Sequence, residues 1–278
     1  MTRPRRPDFA IIGAMRAGTT QIYDLLRQVP EVSVAKMKET DFFCSKESVA
    51  RGFNWYASQF TGEKTLWGDV SPNYAKTDIN PDAADLLYQA NPDMDVFFVA
   101  RDPVDRAISQ YRKHWLEADT PPPETLLSSW TGRHILHASR YHACLEPFWA
   151  RFGEKVRIID FDDLIADPEA TVAGICETLG ISEVRLAPPE TQTNSTEELA
   201  RRPRWWSRLR QSELGQQLRA RLPRSVIDLA KRHVVLPRAK APPPRFPDAV
   251  RDRLAEALAD DAARFREATG RAFRTWSV

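Results

Sequence analysis

Three clusters in this chain have residue types and spacings that could do chemistry on an anion. The first is GAMRAGTT, Gly13 to Thr20, which follows the apolar run Phe9–Ile12 and precedes residues with helical spacing. A strand, a tight loop and a helix in that order gather backbone N–H groups and a helix N-terminus around one point, where a phosphate-like group is held. Two glycines separated by four residues match the phosphate-binding loop G-x-x-x-x-G-K-[ST], but Thr19 stands in the lysine position and Arg16 is the cation within the loop. The same spacing suits an ordinary strand-to-helix turn, and the loop by itself leaves both readings open. The second cluster is Arg101 and Ser109. Arg101 ends the apolar run Asp95–Ala100, and Ser109 lies about two turns into a helix opened by Pro103, so both can reach one side of a sheet beyond its carboxyl ends. Arg101 could instead cap its strand or pair with Asp102. The third is Lys36-Met37-Lys38-Glu39-Thr40-Asp41-Phe42-Phe43, charges at the mouth of a core, which also reads as a solvated loop anchored by two phenylalanines.

Kinases and nucleotidases use the loop lysine on the β- and γ-phosphates and the following hydroxyl to hold magnesium. A loop without that lysine or an evident magnesium carboxylate suits transfer of a group carrying less charge. A sulfuryl group, with one negative charge where a phosphoryl has two, is such a group: one cation at the bridging oxygen and the loop amides can stabilise its departure.

The surrounding pattern is strands alternating with helices. Strand candidates are Phe9–Ile12, Glu31–Ala35, Lys64–Asp69, Asp95–Ala100 and Val156–Asp160; the fourth is continuously apolar, as in a parallel sheet covered on both faces. Helical spacing marks Thr19–Gln28, Phe53–Phe60, Pro81–Ala90 with Asn80 as its cap, a helix from Pro103 with Val104, Ala107, Ile108, Tyr111 and Trp115 on one face, Ala138–Phe152, and Asp167–Leu179 stopped by Gly180. A Pro-rich linker at 241–244 leads to a last amphipathic helix, Pro247 to Thr269, with Phe273 and Trp276 anchoring the tail. The fold class is α/β: a P-loop-like three-layer fold with a central, mainly parallel sheet flanked by helices and a helical C-terminal extension. One domain spans 1–278, with an α/β core at 1–185, a basic helical region at 186–245 and a C-terminal helix packing on the core at 246–278.

Composition limits the rest. The 278 residues carry 40 Lys and Arg against 38 Asp and Glu, so net charge argues for no nucleic-acid partner, yet residues 201–245 alone hold 13 Lys and Arg against two acids. That segment reads as a solvated helical face, an anion-holding lid, or a surface for peripheral membrane contact through Trp205 and Trp206. No apolar run approaches the roughly 20 residues of a membrane span, and the basic start MTRPRRPDF has no apolar signal region, so a cytoplasmic location is expected. Cys44, Cys144 and Cys176 are too few and too scattered for a disulfide framework or a zinc site, and no metal is expected.

Taken in order, these motifs resemble the PAPS-dependent sulfotransferases, which use 3′-phosphoadenylyl sulfate, in particular bacterial ones and the domains that modify heparan sulfate. The resemblance rests on Gly13–Thr20, Lys38–Phe43, Trp55-Tyr56, Gly68–Tyr74, the specific segment Val99–Tyr111, Phe161–Leu164 and the tail from Leu258 to Trp276. It implies that Arg16 contacts the bridging oxygen and 5′-phosphate, with the amides of Ala17, Gly18, Thr19 and Thr20 completing the cradle. It implies further that Arg101 and Ser109 bind the 3′-phosphate, that Tyr141 contacts the adenine side, and that Glu39 is the general base for the acceptor hydroxyl, PAP (3′,5′-adenosine bisphosphate) being released. Two departures stand out. Arg16 replaces the commoner lysine, which favours electrostatic stabilisation over proton donation. Val70 stands where heparan-type enzymes often carry a lysine, which puts a heparan-like acceptor in doubt. The expectation is a metal-independent enzyme sulfonating a hydroxyl of a small molecule, sugar or glycolipid. The alternatives are a P-loop phosphotransferase and a non-catalytic nucleotide-binding module.

Overall fold

The computed structural model describes residues 5–61, 66–117, 120–182, 186 and 245–278. All of the basic region 186–245 except Leu186 and Arg245 lies outside the described residues. Five strands, β1 (Phe9–Gly13), β2 (Val32–Val34), β3 (Leu66–Val70), β4 (Asp95–Ala100) and β5 (Val156–Asp160), form one sheet in the order β2-β3-β1-β4-β5. Every pairing is parallel. Parallel strands buried on both faces need apolar side chains all along their length. Every residue of β1 is buried, and every residue of β4 after Asp95 is too.

Helices α1 (Thr19–Leu26), α2 (Lys46–Val49), α3 (Phe53–Ala57), α4 (Ala83–Ala90), α5 (Pro103–Glu117), α6 (Trp130–His137), α7 (Tyr141–Phe152), α8 (Phe161–Ala166), α9 (Pro168–Thr178) and α10 (Asp248–Thr269) fill the outer layers. Helix α9 packs on α1 and α8, while α7 packs on α4 and α10, so the sheet lies between two helical layers. The chain leaves β1 toward β2 through α1 and leaves β3 toward β4 through α4, in opposite directions across the sheet. With right-handed crossovers, this opens a crevice beyond the carboxyl ends of β1 and β4. That is where the glycine loop and Arg101 emerge.

The α5 face expected from sequence is built as a second core. Val104, Ala107, Ile108 and Tyr111 are buried with Phe246, Val250, Leu254 and Leu258. Fully burying Leu254 and Leu258 stabilises the docking of α10 by about 2 kcal/mol each. The tail follows onto the main core, with Trp276 against Tyr141 at 5.7 Å and the Ser277 amide donating to Asp102 at the start of α5.

Three sequence readings are corrected. The helix expected from Ala138 begins at Tyr141, and a separate helix, α6, precedes it, capped by Ser129 Oγ, which accepts from Gly132 N at 2.9 Å. A Cβ on Gly132 in α6 would lie 1.8 Å from the Leu126 carbonyl oxygen, so glycine there permits close packing. The helix expected from Pro81 begins at Ala83. Asn80 does not cap it; its Nδ2 donates to the Asn73 carbonyl at 2.8 Å, with consequences for the site.

Helix α7 has no side-chain cap of its own, and α10 supplies one. Asp261 Oδ2 accepts from His142 N and Oδ1 from Ala143 N, each at 3.0 Å. Asp261→Ala is expected to lower unfolding free energy by about 1–2 kcal/mol, as loss of a cap does. Urea denaturation checks this; an unchanged midpoint would show that these amides find water instead.

Candidate active site

The loop after β1 is built by close approach and by left-handed backbone. A Cβ on Gly13 would lie 2.5 Å from the Phe98 ring, so this position must be glycine for β1 to lie against β4. Gly18 has φ 80° and a Cβ there would meet Leu164 at 2.7 Å. Arg16 also takes a left-handed conformation, φ 72°. The loop is tied to the sheet by Ala14 N donating to Val99 O at 3.0 Å. Its far end opens α1, whose first amides have no intrahelical acceptor and point outward from the N-terminus.

The structure brings together the residues the sequence singled out. Arg16 Nε donates to Ser109 Oγ at 3.0 Å, across 93 residues of sequence. Arg101 Nη1 donates to the Arg16 carbonyl at 3.1 Å, and its guanidinium lies over the Phe161 ring at 4.8 Å. Arg101 therefore does not pair with Asp102. Tyr141 lies beneath this arrangement and is buried, donating from its hydroxyl to the Arg101 carbonyl at 2.9 Å and packing on Phe98 at 5.1 Å. In this structure it supports the strand end that carries Arg101.

Arg106, one turn into α5, was not singled out by sequence and is the most buried cation of the site. It is fully buried, and its guanidinium donates from Nε to Ser139 Oγ at 2.8 Å, from Nη1 to Gln110 Oε1 at 2.6 Å and from Nη2 to the Ile135 carbonyl at 2.7 Å. Nη1 also reaches the Met15 carbonyl at 3.4 Å, joining the helix to the loop. Every acceptor is neutral. Its positive charge is solvated without being cancelled.

The Lys38–Phe43 segment is set by a buried carboxylate on β3. Asp69 Oδ2 accepts from Thr40 Oγ1 at 2.7 Å, Tyr74 OH at 2.8 Å and Tyr56 OH at 3.0 Å, and Oδ1 accepts from Ser71 Oγ at 2.7 Å. Burial raises the Asp69 carboxyl above its ordinary range, and the four hydroxyls oppose that by stabilising the charge. Ser71 Oγ also accepts from Thr40 N at 3.1 Å, which fixes the backbone next to Glu39. Glu39 itself accepts from Asn73 Nδ2 at 3.3 Å and from Lys38 Nζ at 3.5 Å, and the same Asn73 amide reaches both Asp41 oxygens at 3.1 Å. Ser71 N donates to Ile11 O and Ala75 N to Ile12 O, so this whole assembly sits beside the end of β1.

Lys76, in the turn after β3, is the other cation missed in the sequence. Only 7% of it is exposed, and burial lowers its ammonium to about 8, helped by Arg106 and opposed by Glu39 and Asp41. His114 on α5 is pushed down to about 4 by burial and then by Lys76, so its ring is neutral near pH 7. A buried lysine in a turn has no periodicity to betray it; the one sequence signal is its distance of three residues from Asn73.

A three-layer parallel α/β fold that gathers Arg16, Arg101 and Arg106 on neutral acceptors near the carboxyl ends of β1 and β4 has the charge to hold an anion. The sequence profile described as Sulfotransferase family matches residues 36–185, and the chain belongs to that family. It is 30% identical over 138 residues to the membrane-associated sulfotransferase kil1 of Dictyostelium discoideum, covering 47% of this chain and 27% of that protein. It is 31% identical over 177 residues to heparan sulfate glucosamine 3-O-sulfotransferase 5 of Mus musculus, covering 58% and 50%. The chain thus spans half or less of the length of these two relatives. Its fold matches the crystal structure of a sulfotransferase from Alicyclobacillus acidocaldarius with a TM-score of 0.67 at 21% identity, over 99% of this chain and 100% of that one.

Removing the Asp69 carboxylate leaves buried hydroxyls with no common acceptor. Asp69→Ala is expected to cost about 3 kcal/mol or more, against about 1 kcal/mol for Tyr56→Phe, which removes a single donor. Equal losses for the two variants, measured by chemical denaturation, would show that the network does not act as a unit.

Proposed function

We propose that this protein transfers a sulfuryl group from PAPS to a hydroxyl of a small-molecule, sugar or glycolipid acceptor, with Glu39 as general base. The observation that carries the reading is the joining of Arg16, Ser109 and Arg101 at the ends of β1 and β4. Arg16, in the loop after β1, donates to the Ser109 hydroxyl on α5 and accepts at its carbonyl from Arg101 at the end of β4. The donor set fits a nucleotide with two anionic ends. Arg16 and the amides of Ala17, Gly18, Thr19 and Thr20 would hold the 5′-phosphosulfate, and Arg101 with Ser109 the 3′-phosphate.

Within that frame each residue has a limited task. Arg16 stays charged at all accessible pH and stabilises negative charge as it builds on the bridging oxygen. Glu39, steadied by Asn73 and Lys38, accepts the proton of the acceptor hydroxyl as oxygen attacks sulfur in line. Asn73 is itself held by Asn80, so the base is positioned by side chains rather than by its own rotamer preference. The names of the heparan sulfate relatives support a carbohydrate acceptor. The valine at position 70, buried in β3, argues that anionic sugar is not met here as it is in the heparan-type enzymes.

Isothermal titration without added metal is expected to show PAP binding. Arg101→Ala should weaken PAP by about tenfold to a hundredfold, the loss expected for a hydrogen bond to a charged group, and weaken adenosine 5′-phosphosulfate much less. Equal loss for both nucleotides would contradict the 3′-phosphate assignment, and binding of ATP with magnesium but not of PAP would point to a phosphotransferase. Glu39→Gln should lower kcat by about 10²–10⁴ while PAP affinity stays. Full turnover in that variant, followed by mass spectrometry of sulfonated product, would remove Glu39 from the role.

A further inference from the structure

The ladder between β4 and β5 ends at the pair Ala100 and Asp160, and beyond it the two strands part into α5 and α8. The next residue on each strand is Arg101 and Phe161, and these stay together as a guanidinium over a ring at 4.8 Å. The residues after those are Asp102 and Asp162, and the C-terminal tail holds both. The Ser277 amide donates to Asp102 Oδ2, and Thr275 Oγ1 donates to Asp162 Oδ2 at 2.5 Å. Two residues of extended chain span about 7 Å, enough to cross from one strand to a neighbour about 4.8 Å away. The tail is therefore a tie across the carboxyl ends of β4 and β5, one step beyond Arg101.

The tie is itself anchored. Trp276, between the two bonding residues, is buried against Phe265 at 5.8 Å, Phe273 at 4.3 Å and Tyr141 at 5.7 Å. Tyr141 in turn donates to the Arg101 carbonyl. The tie acts most directly on Asp102. Among the described residues the Arg101 guanidinium makes one hydrogen bond, to the Arg16 carbonyl, which leaves further N–H donors for a ligand. A carboxylate one residue away would compete for those donors and repel a phosphate. Here each Asp102 oxygen is engaged by a backbone amide instead: Oδ1 accepts from Asp105 N at 2.8 Å, capping α5, and Oδ2 accepts from Ser277 N.

We propose that Ser277 and Thr275 are positioning residues for nucleotide recognition: the tail draws Asp102 off the Arg101 guanidinium and seats Phe161 beneath it, leaving Arg101 open to the 3′-phosphate. This rests on the assignment of Arg101 to that phosphate. A phosphate gains affinity from a guanidinium already held in place, because less side-chain freedom is lost on binding. Adenosine 5′-phosphosulfate has no 3′-phosphate, so the ratio of its affinity to that of PAP reads the state of Arg101 and cancels a general loosening of the site.

Isothermal titration with the two nucleotides tests the role. Ser277→Pro removes the donating N–H and should weaken PAP by about tenfold, within the range for a hydrogen bond to a charged group, and adenosine 5′-phosphosulfate much less. Ser277→Ala, the conservative change that keeps the N–H, should retain PAP binding. Thr275→Val should lower PAP affinity in the same selective way, and Thr275→Ser should retain it. Adding Asp102→Asn to Ser277→Pro should recover most of the PAP affinity, since the amide oxygen still caps α5 but brings no charge to Arg101. A tail that serves packing alone would be indifferent to that second change. Equal losses of both nucleotides, no loss of PAP, or no recovery with Asp102→Asn would overturn the role; if Ser277→Pro does not fold, the losses in Thr275→Val decide in the same way. Should Arg101→Ala, with the tail intact, leave the ratio of the two affinities unchanged, the assignment of Arg101 itself falls and this role with it.

Discussion

Arg106 buries a full positive charge and surrounds it with neutral oxygens alone. A carboxylate in place of Ser139, Gln110 or the Ile135 carbonyl would have made a conventional buried ion pair, and its field would have vanished within a few ångströms. Hydrogen bonds to neutral acceptors solvate the guanidinium while leaving its potential in the crevice. The same device recurs at Arg101, which rests on the Arg16 carbonyl and the face of Phe161. Around it the fold is arranged to hold such charges: α6 packs on α5 and brings the Ile135 carbonyl and, just beyond its end, Ser139 to Arg106. Burial first, and then the field of Arg106, lowers the Lys76 ammonium, with Glu39 and Asp41 opposing.

The base side is built on the opposite sign and by the opposite means. Asp69 is a buried carboxylate met only by hydroxyls, so its charge too is solvated without being cancelled. Those hydroxyls come from the segment that carries Glu39, from α3 and from the turn after β3. The acid thus acts as a knot that locks a loop of mixed charge against the sheet, and the loop's phenylalanines complete the anchor, Phe42 stacking on Tyr56 at 4.6 Å. A loop that would be solvated on charge pattern alone is thereby fixed on either side of Glu39.

What was legible in the sequence follows from this division. The runs Phe9–Ile12 and Asp95–Ala100 announce buried parallel strands because both faces are covered, and the spacing of Arg101 and Ser109 shows that strand end and helix share one side. The α5 face was readable from its period, and Gly180 and Gly270 mark helix ends by their positive φ. Arg106 was not legible, since in the sequence it is one more charge on an amphipathic helix, and the Ile135 and Ser139 acceptors lie 29 and 33 residues further on, in and just after a helix the sequence reading did not mark. Asp69 and Lys76 were hidden for a related reason: burial of a charge is a property of what surrounds it. Asn80 looked like a cap and proved to be a brace for Asn73, a choice made by tertiary contact over local propensity.

The backbone of Arg16 shows how the two ends of the site are coupled. An L-residue at φ 72° is held about 1–2 kcal/mol above its relaxed conformation, and glycine would remove that cost. The chain nevertheless places arginine here, and among the contacts that hold the turn are Ser109, which receives the side chain, and Arg101, which donates to the carbonyl. Loss of Arg101 therefore frees the carbonyl that fixes Arg16, and loss of Arg16 frees the hydroxyl paired with it. Residues that share partners in this way are not additive. The strained turn thus joins Arg16 and Arg101 into one mechanical unit, so a change at either residue is felt at the other.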